Sequence, residues 1–248
     1  PYVPVTSPDD YRCFVFDLPF DDERFITGFG VRPDRRASVH HVVVFKVSAD
    51  RAQPMVEAQA ASTDGPGYPC FGGPSPAVKG AKVTAKGLPS MVGIWAPGVE
   101  GVDFPAGTGI RLPPGSKLVA QVHYNVQTPN PEADRSSITL ELEPTVTREA
   151  FMIPFGNPSW VQSGTMTIPA RARDTAHFFR LSASTLTNRA SKNVLSASEP
   201  VELLGQMLHM HTRGSWASFS VERASESVCA LNIPAWDFHW QGMYFFEK

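Results

Sequence analysis

Short apolar runs separated by turn residues occur along most of the chain. In the clearest run, residues 137–142, apolar and polar side chains alternate with period two, which is typical of a β-strand with one buried face. One short helix is predicted over residues 50–61. The other runs with strand character are residues 11–16, 38–47, 117–126, 175–181, 215–223 and 228–233. Many short strands between frequent turns predict an all-β fold of the sandwich or jelly-roll type.

Glycine and proline are abundant and leave little room for long helices. The chain has 19 Gly and 23 Pro, 42 of 248 residues, or about 17% against about 12% in average proteins. A clean strand ends near residue 142, and a Pro/Gly-rich stretch occupies residues 154–158. We therefore predict two domains, residues 1–148 and 149–248. A β-sandwich needs about 100 residues, so the second domain is only just long enough.

Charge and hydropathy exclude two classes of partner. The chain has 22 Lys+Arg and 24 Asp+Glu, a formal net charge of -2. No cluster of basic residues is present that would bind a nucleic-acid backbone or an anionic membrane surface. The longest apolar runs, such as residues 41–45, are far shorter than the roughly 20 residues of a membrane-spanning helix. We expect neither a nucleic-acid partner nor a membrane span.

The cysteine count allows one disulfide and one remaining thiol. Cys13, Cys70 and Cys229 are too few for a disulfide-dense scaffold and lack the CxxC spacing of zinc or thiol-exchange sites. If the chain is exported, Cys13 and Cys70 are the natural pair because they lie in the same half, and Cys229 has no obvious partner. If the chain is cytosolic, three buried free thiols are expected instead.

Histidines carry the sharpest chemical signal. Five of the seven fall in three compact groups: His40-His41, His123 and His209-Met210-His211. On a strand, residues at i and i+2 project from the same face about 6.5–7 Å apart, so His209 and His211 can converge on one ion. Two hydrogen-bonded surface histidines are the alternative. The remaining two, His177 and His239, are predicted to be structural.

The adjacent pair and the isolated histidine each have a simpler interpretation. Consecutive strand residues face opposite sides of a sheet, so His40 and His41 can bind one metal only where the strand ends or bulges, with one or both rings using the nearer nitrogen, Nδ1. One core and one exposed histidine is the alternative. His123 lies in an apolar strand, where a lone histidine is usually a satisfied core residue.

Five segments occur in the order found in one family of metalloenzymes. They are residues 11–14 (Tyr-Arg-Cys-Phe), 38–45 with His40-His41, 107–113, 121–124 (Gln-Val-His-Tyr) and 209–211. In this set the chain resembles the copper type II, ascorbate-dependent monooxygenases, which include peptidylglycine α-hydroxylating monooxygenase and dopamine β-monooxygenase. The likeness runs from about Tyr11 to Tyr244 and covers most of the chain. Residues 70–74 and 236–241 resemble the bacterial branch.

The resemblance implies two tandem jelly-roll domains that face each other across a solvent-filled cleft, each with one copper ion. The first copper, which stores and passes electrons, would take His40, His41 and His123. The second, the catalytic copper at which O2 and substrate react, would take His209, His211 and a methionine sulfur. Imidazole suits copper in both oxidation states, and a soft thioether favours Cu(I).

Further roles are implied by the same resemblance. Tyr11 and Gln121 match a tyrosine and a glutamine near the first copper, where we expect them to support its ligands. Cys13 with Cys70 fits a disulfide of the family, which favours an exported protein, periplasmic or extracellular.

Two departures from the family concern the second copper and the substrate. The family's methionine ligand lies well downstream of the HxH pair in an Asp-Glu-Met-like context, and no such motif occurs before Lys248. Either the chain stops short of that strand, or the second copper has another ligand, for which Met207, Met210 and Met243 are the candidates. Peptide-amidating members hold the substrate carboxylate with an arginine where this chain has Met207. A peptide carboxylate is therefore not the expected substrate.

The sequence thus predicts a copper-dependent monooxygenase that hydroxylates a C–H bond of a small organic substrate with O2 and an external reductant such as ascorbate. A copper-binding or electron-transfer protein of the same fold is the first alternative. A zinc hydrolase with three histidines and an open water position is the second, although the motif segments lack a nearby Glu or Asp as general base. A metal-free binding sandwich is the last.

Overall fold

The computed structural model describes residues 1–76, 90–99, 101–157, 159–160, 163–191, 199–210, 213–238 and 241–246. Strands dominate these residues, as the all-β prediction requires. Helix α1 (Ala49–Ala60) matches the predicted helix to within one residue at each end. The strands of the first half are β1 (Asp9–Phe16), β2 (Arg24–Arg32), β3 (Val39–Val47), β4 (Tyr68–Pro69), β5 (Ser90–Trp95), β6 (Gly101–Asp103), β7 (Thr108–Leu112), β8 (Lys117–Asn125), β9 (Ser137–Glu143) and β10 (Arg148–Glu149).

These ten strands form a β-sandwich of two sheets. The first sheet has the order β4-β1-β8-β3-β5 and is antiparallel throughout. The second has the order β10-β7-β2-β6, with β9 also paired to β2. Apolar side chains of both sheets, among them Val42 from the first and Ile26 and Leu112 from the second, share one buried core. Burial of this apolar surface is the main driving force for folding of this half.

Strand β8 shows how side-chain alternation divides the two faces of the first sheet. Leu118, Ala120, Val122 and Tyr124 belong to the core between the sheets. Val119 points the other way and packs in a second apolar cluster, where α1 covers the outer face of the sheet. The other buried members of that cluster are Cys13, Val47, Ala52, Met55, Tyr68 and Cys70. Every second residue of β8 therefore lies on the outer face.

The structure contains the disulfide expected for an exported chain. Cys13 and Cys70 are bonded and lie in the outer cluster beneath α1. Cys229 is a free cysteine and is exposed. The alternative of three buried free thiols is therefore wrong.

The second half is built from shorter elements. They are α2 (Ala183–Ser191), β11 (Gly205–Met207), β12 (Ala217–Arg223), β13 (Glu226–Ile233) and β14 (Met243–Phe245). β11 pairs with β14, and β12 with β13, both antiparallel; the latter hairpin matches the predicted strands at 215–223 and 228–233. The strand predicted at 175–181 is wrong, because alternation alone does not supply a neighbour with which to pair. α2 was not predicted, since its Ser, Thr and Asn residues have modest helix propensity.

The predicted domain boundary near residue 148 falls on β10, which still belongs to the second sheet through its parallel pairing with β7. Met152 forms an isolated bridge with Met91, and the later strands belong to separate two-stranded sheets. The assignment of residues 149–248 to a second domain stays a prediction. Among the described residues, no helix is long and apolar enough to cross a membrane.

Candidate metal centre

A group of polar and aromatic side chains lies on the outer face of the first sheet. In β8, His123 and Gln121 share the face of Val119, opposite the core positions. In the neighbouring β1, Tyr11 pairs with His123 and Cys13 pairs with Gln121. These side chains are therefore held by paired strands in the middle of a sheet rather than by loops.

A β-bulge in β3 brings His40 and His41 to this same face. The register with β8 shifts between Val39, which is opposite Tyr124, and His41, which is opposite His123. The core positions of β3 accordingly fall at 39, 42 and 44 instead of at every second residue. The extra residue of a bulge allows two consecutive side chains to lie on one side of the sheet. This is the local geometry that the adjacent histidines require to share an ion.

The rings of His40, His41 and His123 converge. The Nδ1 atoms of His40 and His41 are 3.1 Å apart, and one nitrogen from each ring lies within 4.8 Å of the others. The ring centres are separated by 5.3 Å for His40–His41, 4.6 Å for His40–His123 and 4.8 Å for His41–His123. Two imidazoles that bind one ion at about 2.0–2.1 Å have ring centres at most about 6.3 Å apart. All three pairs fit one ion.

The chemistry of this donor set is that of a transition-metal site. Two ring nitrogens 3.1 Å apart share either a proton or a cation, because two facing lone pairs repel. Among the described residues, the group includes no carboxylate or thiolate, and imidazole alone suits zinc, copper, iron and nickel. His123 is buried, whereas His40 and His41 are half-buried, so the group is accessible from one side.

Asp9 holds the far side of the His123 ring. Its Oδ1 accepts a hydrogen bond of 2.8 Å from Nε2 of His123 and another of 3.1 Å from Nδ2 of Asn125. A carboxylate only accepts, so the proton of neutral His123 is on Nε2 and the lone pair is on Nδ1. The hydrogen bond from His123, followed by that from Asn125, lowers the pKa of Asp9 below its usual value.

Tyr11 and Phe71 form an aromatic wall beside His123. The Tyr11 and His123 rings are stacked, with centres 4.1 Å apart and planes 6° from parallel. Phe71 meets Tyr11 edge-on at 4.9 Å and is 66% exposed. Burial, and secondarily the charge of Asp9, raises the pKa of Tyr11, so its phenol is neutral at neutral pH. Tyr11 thus contacts one of the three histidines directly.

Gln121, the other residue expected to support the site, contacts the disulfide loop instead. Its Nε2 donates to the carbonyl of Gly73 at 2.9 Å and lies 3.4 Å from Sγ of Cys70. These contacts tether the loop that carries Phe71, which in turn meets Tyr11. Gln121 is therefore linked to the aromatic wall through this loop.

The second half of the chain packs against the histidine group. The Phe238 ring lies 4.9 Å from that of His40, and the His209 ring lies 6.2 Å from that of His41. The resemblance implies a solvent-filled cleft between the two metal sites, whereas here His209 is a ring neighbour of the first group. Nδ1 of His209 is 2.7 Å from Oε1 of Gln241, a side chain that is only 4% exposed.

His209 lies two residues after the last residue of strand β11. The register of β11 with β14 pairs Met207 with Met243, and its extension by two positions puts His209 opposite Gln241, whose side chains are hydrogen-bonded. β11 ends at Met207, so His209 lies outside the strand and the same-face argument for a strand does not apply to it. His211, the other half of the predicted HxH pair, lies outside the described residues.

The two histidines predicted to be structural are not part of this group. His177 meets Trp160 edge-on, with ring centres 5.9 Å apart, and belongs to no metal-capable group among the described residues. His239 lies outside the described residues.

Sequence analysis missed three side chains that shape the site: Asp9, Phe238 and Gln241. A signal for Asp9 was present, because positions 9, 11 and 13 of a strand share one face, which puts Asp9 beside Tyr11. Phe238 and Gln241 lie in the stretch 236–241 that resembles the bacterial branch, but their contacts join residues far apart in the sequence and could not be read from it.

No protein-family model and no curated protein sequence matches this chain. The resemblance to the copper monooxygenases therefore rests on the residues named above.

Proposed function

We propose that this chain is a copper-dependent monooxygenase that hydroxylates a C–H bond of a small organic substrate. The observation that supports it most is the convergence of His40, His41 and His123, three imidazoles brought together by a bulge and two neighbouring strands. The overall reaction inserts one oxygen atom of O2 into the C–H bond. The other oxygen atom is reduced to water with two electrons and two protons, and a reductant such as ascorbate supplies the electrons.

Two copper ions per chain are proposed. His40, His41 and His123 would hold the first, and His209 and His211 with a further ligand would hold the second. When bound, copper would supply one-electron chemistry and the activation of O2, which amino-acid side chains do not provide. Met207 and Met243 are paired in the register of β11 with β14, two residues from His209 and Gln241. With Met210, they are the candidates for the further ligand.

The protein's own contribution is orientation and shielding. Asp9 and Gln241 each accept a hydrogen bond from one nitrogen of a histidine and thereby fix the orientation of its ring. Tyr11 and Phe238 cover the flat faces of the His123 and His40 rings and limit the access of water. Oδ1 of Asp9 is engaged by hydrogen bonds from His123 and Asn125.

The proposed function also implies a domain organisation and a cellular location. We assign the sandwich of residues 1–148 and the segment 149–248 to two jelly-roll domains of the copper monooxygenase type. The Cys13–Cys70 disulfide supports an oxidising compartment, since such bonds persist in exported proteins and are rare in the cytosol. We therefore propose that the protein is exported, to the periplasm or the extracellular space.

The deciding experiment measures metal content and oxygen consumption together. After reconstitution with Cu(II), we expect two copper ions per chain by elemental analysis, type 2 EPR signals, and ascorbate-driven O2 uptake that a panel of small C–H donors stimulates. Incorporation of one 18O atom from 18O2 into the product identifies hydroxylation. The control is His177→Ala, which removes a histidine away from the site. A chain that retains zinc, excludes copper and consumes no O2 would reject the proposal.

A copper-binding or electron-transfer protein of the same fold is the second candidate. The observation that supports it is the group of His40, His41 and His123, which can hold one metal ion with three ligands. In that case one copper ion binds per chain, His41→Ala abolishes the binding, and His209→Ala leaves it unchanged. O2 uptake would remain at the level of free copper.

A further inference from the structure

His123 and His209 are held by hydrogen-bond acceptors of different charge. The acceptor for His123 is the carboxylate of Asp9, at 2.8 Å. The acceptor for His209 is the neutral amide of Gln241, at 2.7 Å. The two distances are nearly the same, and the contacts differ in the formal charge of the acceptor and in the ring nitrogen that is bonded.

The orientation of the Gln241 amide fixes the proton of His209. Nε2 of Gln241 donates to the carbonyl of Phe238 at 2.8 Å, which leaves Oε1 as the atom that faces His209. Oε1 only accepts, so Nδ1 of His209 carries the proton and donates it. The lone pair of neutral His209 is therefore on Nε2.

The carboxylate of Asp9 fixes the opposite tautomer in His123. Asp9 lies on the outer face of β1, two residues from Tyr11, and Asn125 donates to the same oxygen. The His123 side chain is 5% exposed and the Asp9 side chain is 46% exposed. The carboxylate thus remains hydrated and charged while the bond to the buried ring persists.

We propose that Asp9 is a positioning residue that makes His123 a stronger electron donor than His209. A ligating histidine that donates to a carboxylate becomes a more basic ligand, and a more basic ligand favours Cu(II) over Cu(I). An ion at the His123 group is then held at a lower reduction potential than an ion at His209. This inference rests on the proposed function, and the order of potentials is the one required of a site that stores electrons for the other.

The first test needs no metal. Long-range 1H–15N correlation spectra distinguish protonated from bare ring nitrogens in the metal-free chain. We expect His123 to be protonated on Nε2 in the wild type and in Asp9→Asn, whose amide oxygen still accepts. In Asp9→Ala the two tautomers should mix. Protonation of His123 on Nδ1 in the wild type would overturn the inference, whether or not the chain binds copper.

The second test measures the preference of the first site for Cu(II) over Cu(I). Competition with chelators gives both affinities in a His209→Ala background, which isolates the first site. We expect Asp9→Asn to shift the ratio of the two affinities about tenfold toward Cu(I), equivalent to about 59 mV for a one-electron couple. Asp9→Ala should in addition lower the Cu(II) affinity by about 10–100-fold.

Asp17→Asn is the matched control, because Asp17 follows the same strand and is 81% exposed at its side chain. The ratio of Cu(II) to Cu(I) affinity in Asp17→Asn should equal that of the parent. This control separates the loss of the Asp9–His123 contact from the loss of one negative charge anywhere on the protein. An unchanged ratio in Asp9→Asn, with copper still bound, would overturn the inference and leave the proposed function intact. Absence of copper binding in the parent would reject the proposed function and this ordering of potentials together.

Discussion

His41 and His209 are ring neighbours, with centres 6.2 Å apart and planes at 76°, although they come from opposite halves of the chain. His41 is fixed by its place opposite His123 in the sheet. His209 is fixed by its bond to the buried Gln241. Two metal sites built on these residues would adjoin each other, so their bound ions should interact.

Magnetic coupling between the two ions tests this relationship. Copper loaded fully into the wild type should give an EPR spectrum that differs from the sum of the spectra of His123→Ala and His209→Ala, each of which retains one ion. Dipolar interaction between neighbouring spins would broaden the signals or lower their integrated intensity. A wild-type spectrum equal to that sum would mean that the ions lie farther apart than the contact between the rings indicates.

Removal of one ligand should affect the two sites unequally. His123 belongs to the first group, and the described contacts of His209 are with Gln241 and His41. We therefore expect His123→Ala to lower the copper content from two ions to one and to reduce ascorbate-driven O2 uptake at least about tenfold. Elemental analysis and an oxygen electrode measure both, with His177→Ala as the control. Loss of both ions together would contradict independent binding.

The fold was largely predictable where burial alone determines it. The apolar runs at 38–47 and 117–126 were identified as strands because their side chains fill the core between two sheets. β2 was missed although Ile26, Phe29 and Val31 are buried, because Thr27, Gly28 and Gly30 interrupt the pattern with residues typical of turns. The strand was thus missed because Gly28 and Gly30, which usually indicate turns, lie inside it.

The convergence of the three histidines was predictable from the sequence, whereas their surroundings were not. Adjacent histidines restrict the backbone, so His40 and His41 could share one side of the sheet only at a strand end or a bulge, and the structure has a bulge. The hydrogen-bond partner of His123 depends on register between β1 and β8, which puts Asp9 opposite Asn125. Periodicity gives the face of a strand but does not give its register with another strand.

The motif residue Arg12 has a structural role on the face opposite the histidines. It is 1% exposed, and its guanidinium donates to three backbone carbonyls at residues 65–67 and to Oγ of Ser62, at 2.7–3.1 Å. It also lies 4.7 Å from the centre of the Tyr2 ring. A lysine is a single compact donor and cannot reach these acceptors together.

Arg12→Lys should therefore lower the free energy of unfolding by about 2–4 kcal/mol, because buried carbonyls would lose their donors. Urea denaturation measures this change. Arg36→Lys is the matched control at an exposed position and should have an effect within about 0.5 kcal/mol. Equal stability of the two variants would show that the buried guanidinium contributes little.

Stability should decline in alkaline solution because three tyrosines are buried. Desolvation raises the pKa of Tyr2, Tyr68 and Tyr124, and the carboxylates of Asp10 and Asp134 reinforce the shift for Tyr2 and Tyr124. Unfolded tyrosines ionise near pH 10, whereas these three stay protonated in the folded chain. Above about pH 10 the unfolded state therefore binds fewer protons than the folded state, and the free energy of unfolding falls as the pH rises.

The expected slope is about 1.4 kcal/mol per pH unit for each tyrosine that ionises only on unfolding. Urea denaturation between pH 9 and 11.5 measures it. Tyr124→Phe removes one phenol from the core and should reduce the slope by the contribution of one tyrosine. The loss of the hydrogen bond from Tyr124 to Asp134 should in addition lower the free energy of unfolding at every pH. A slope identical to that of the wild type would mean that Tyr124 ionises in the folded chain, contrary to its burial beside Asp134.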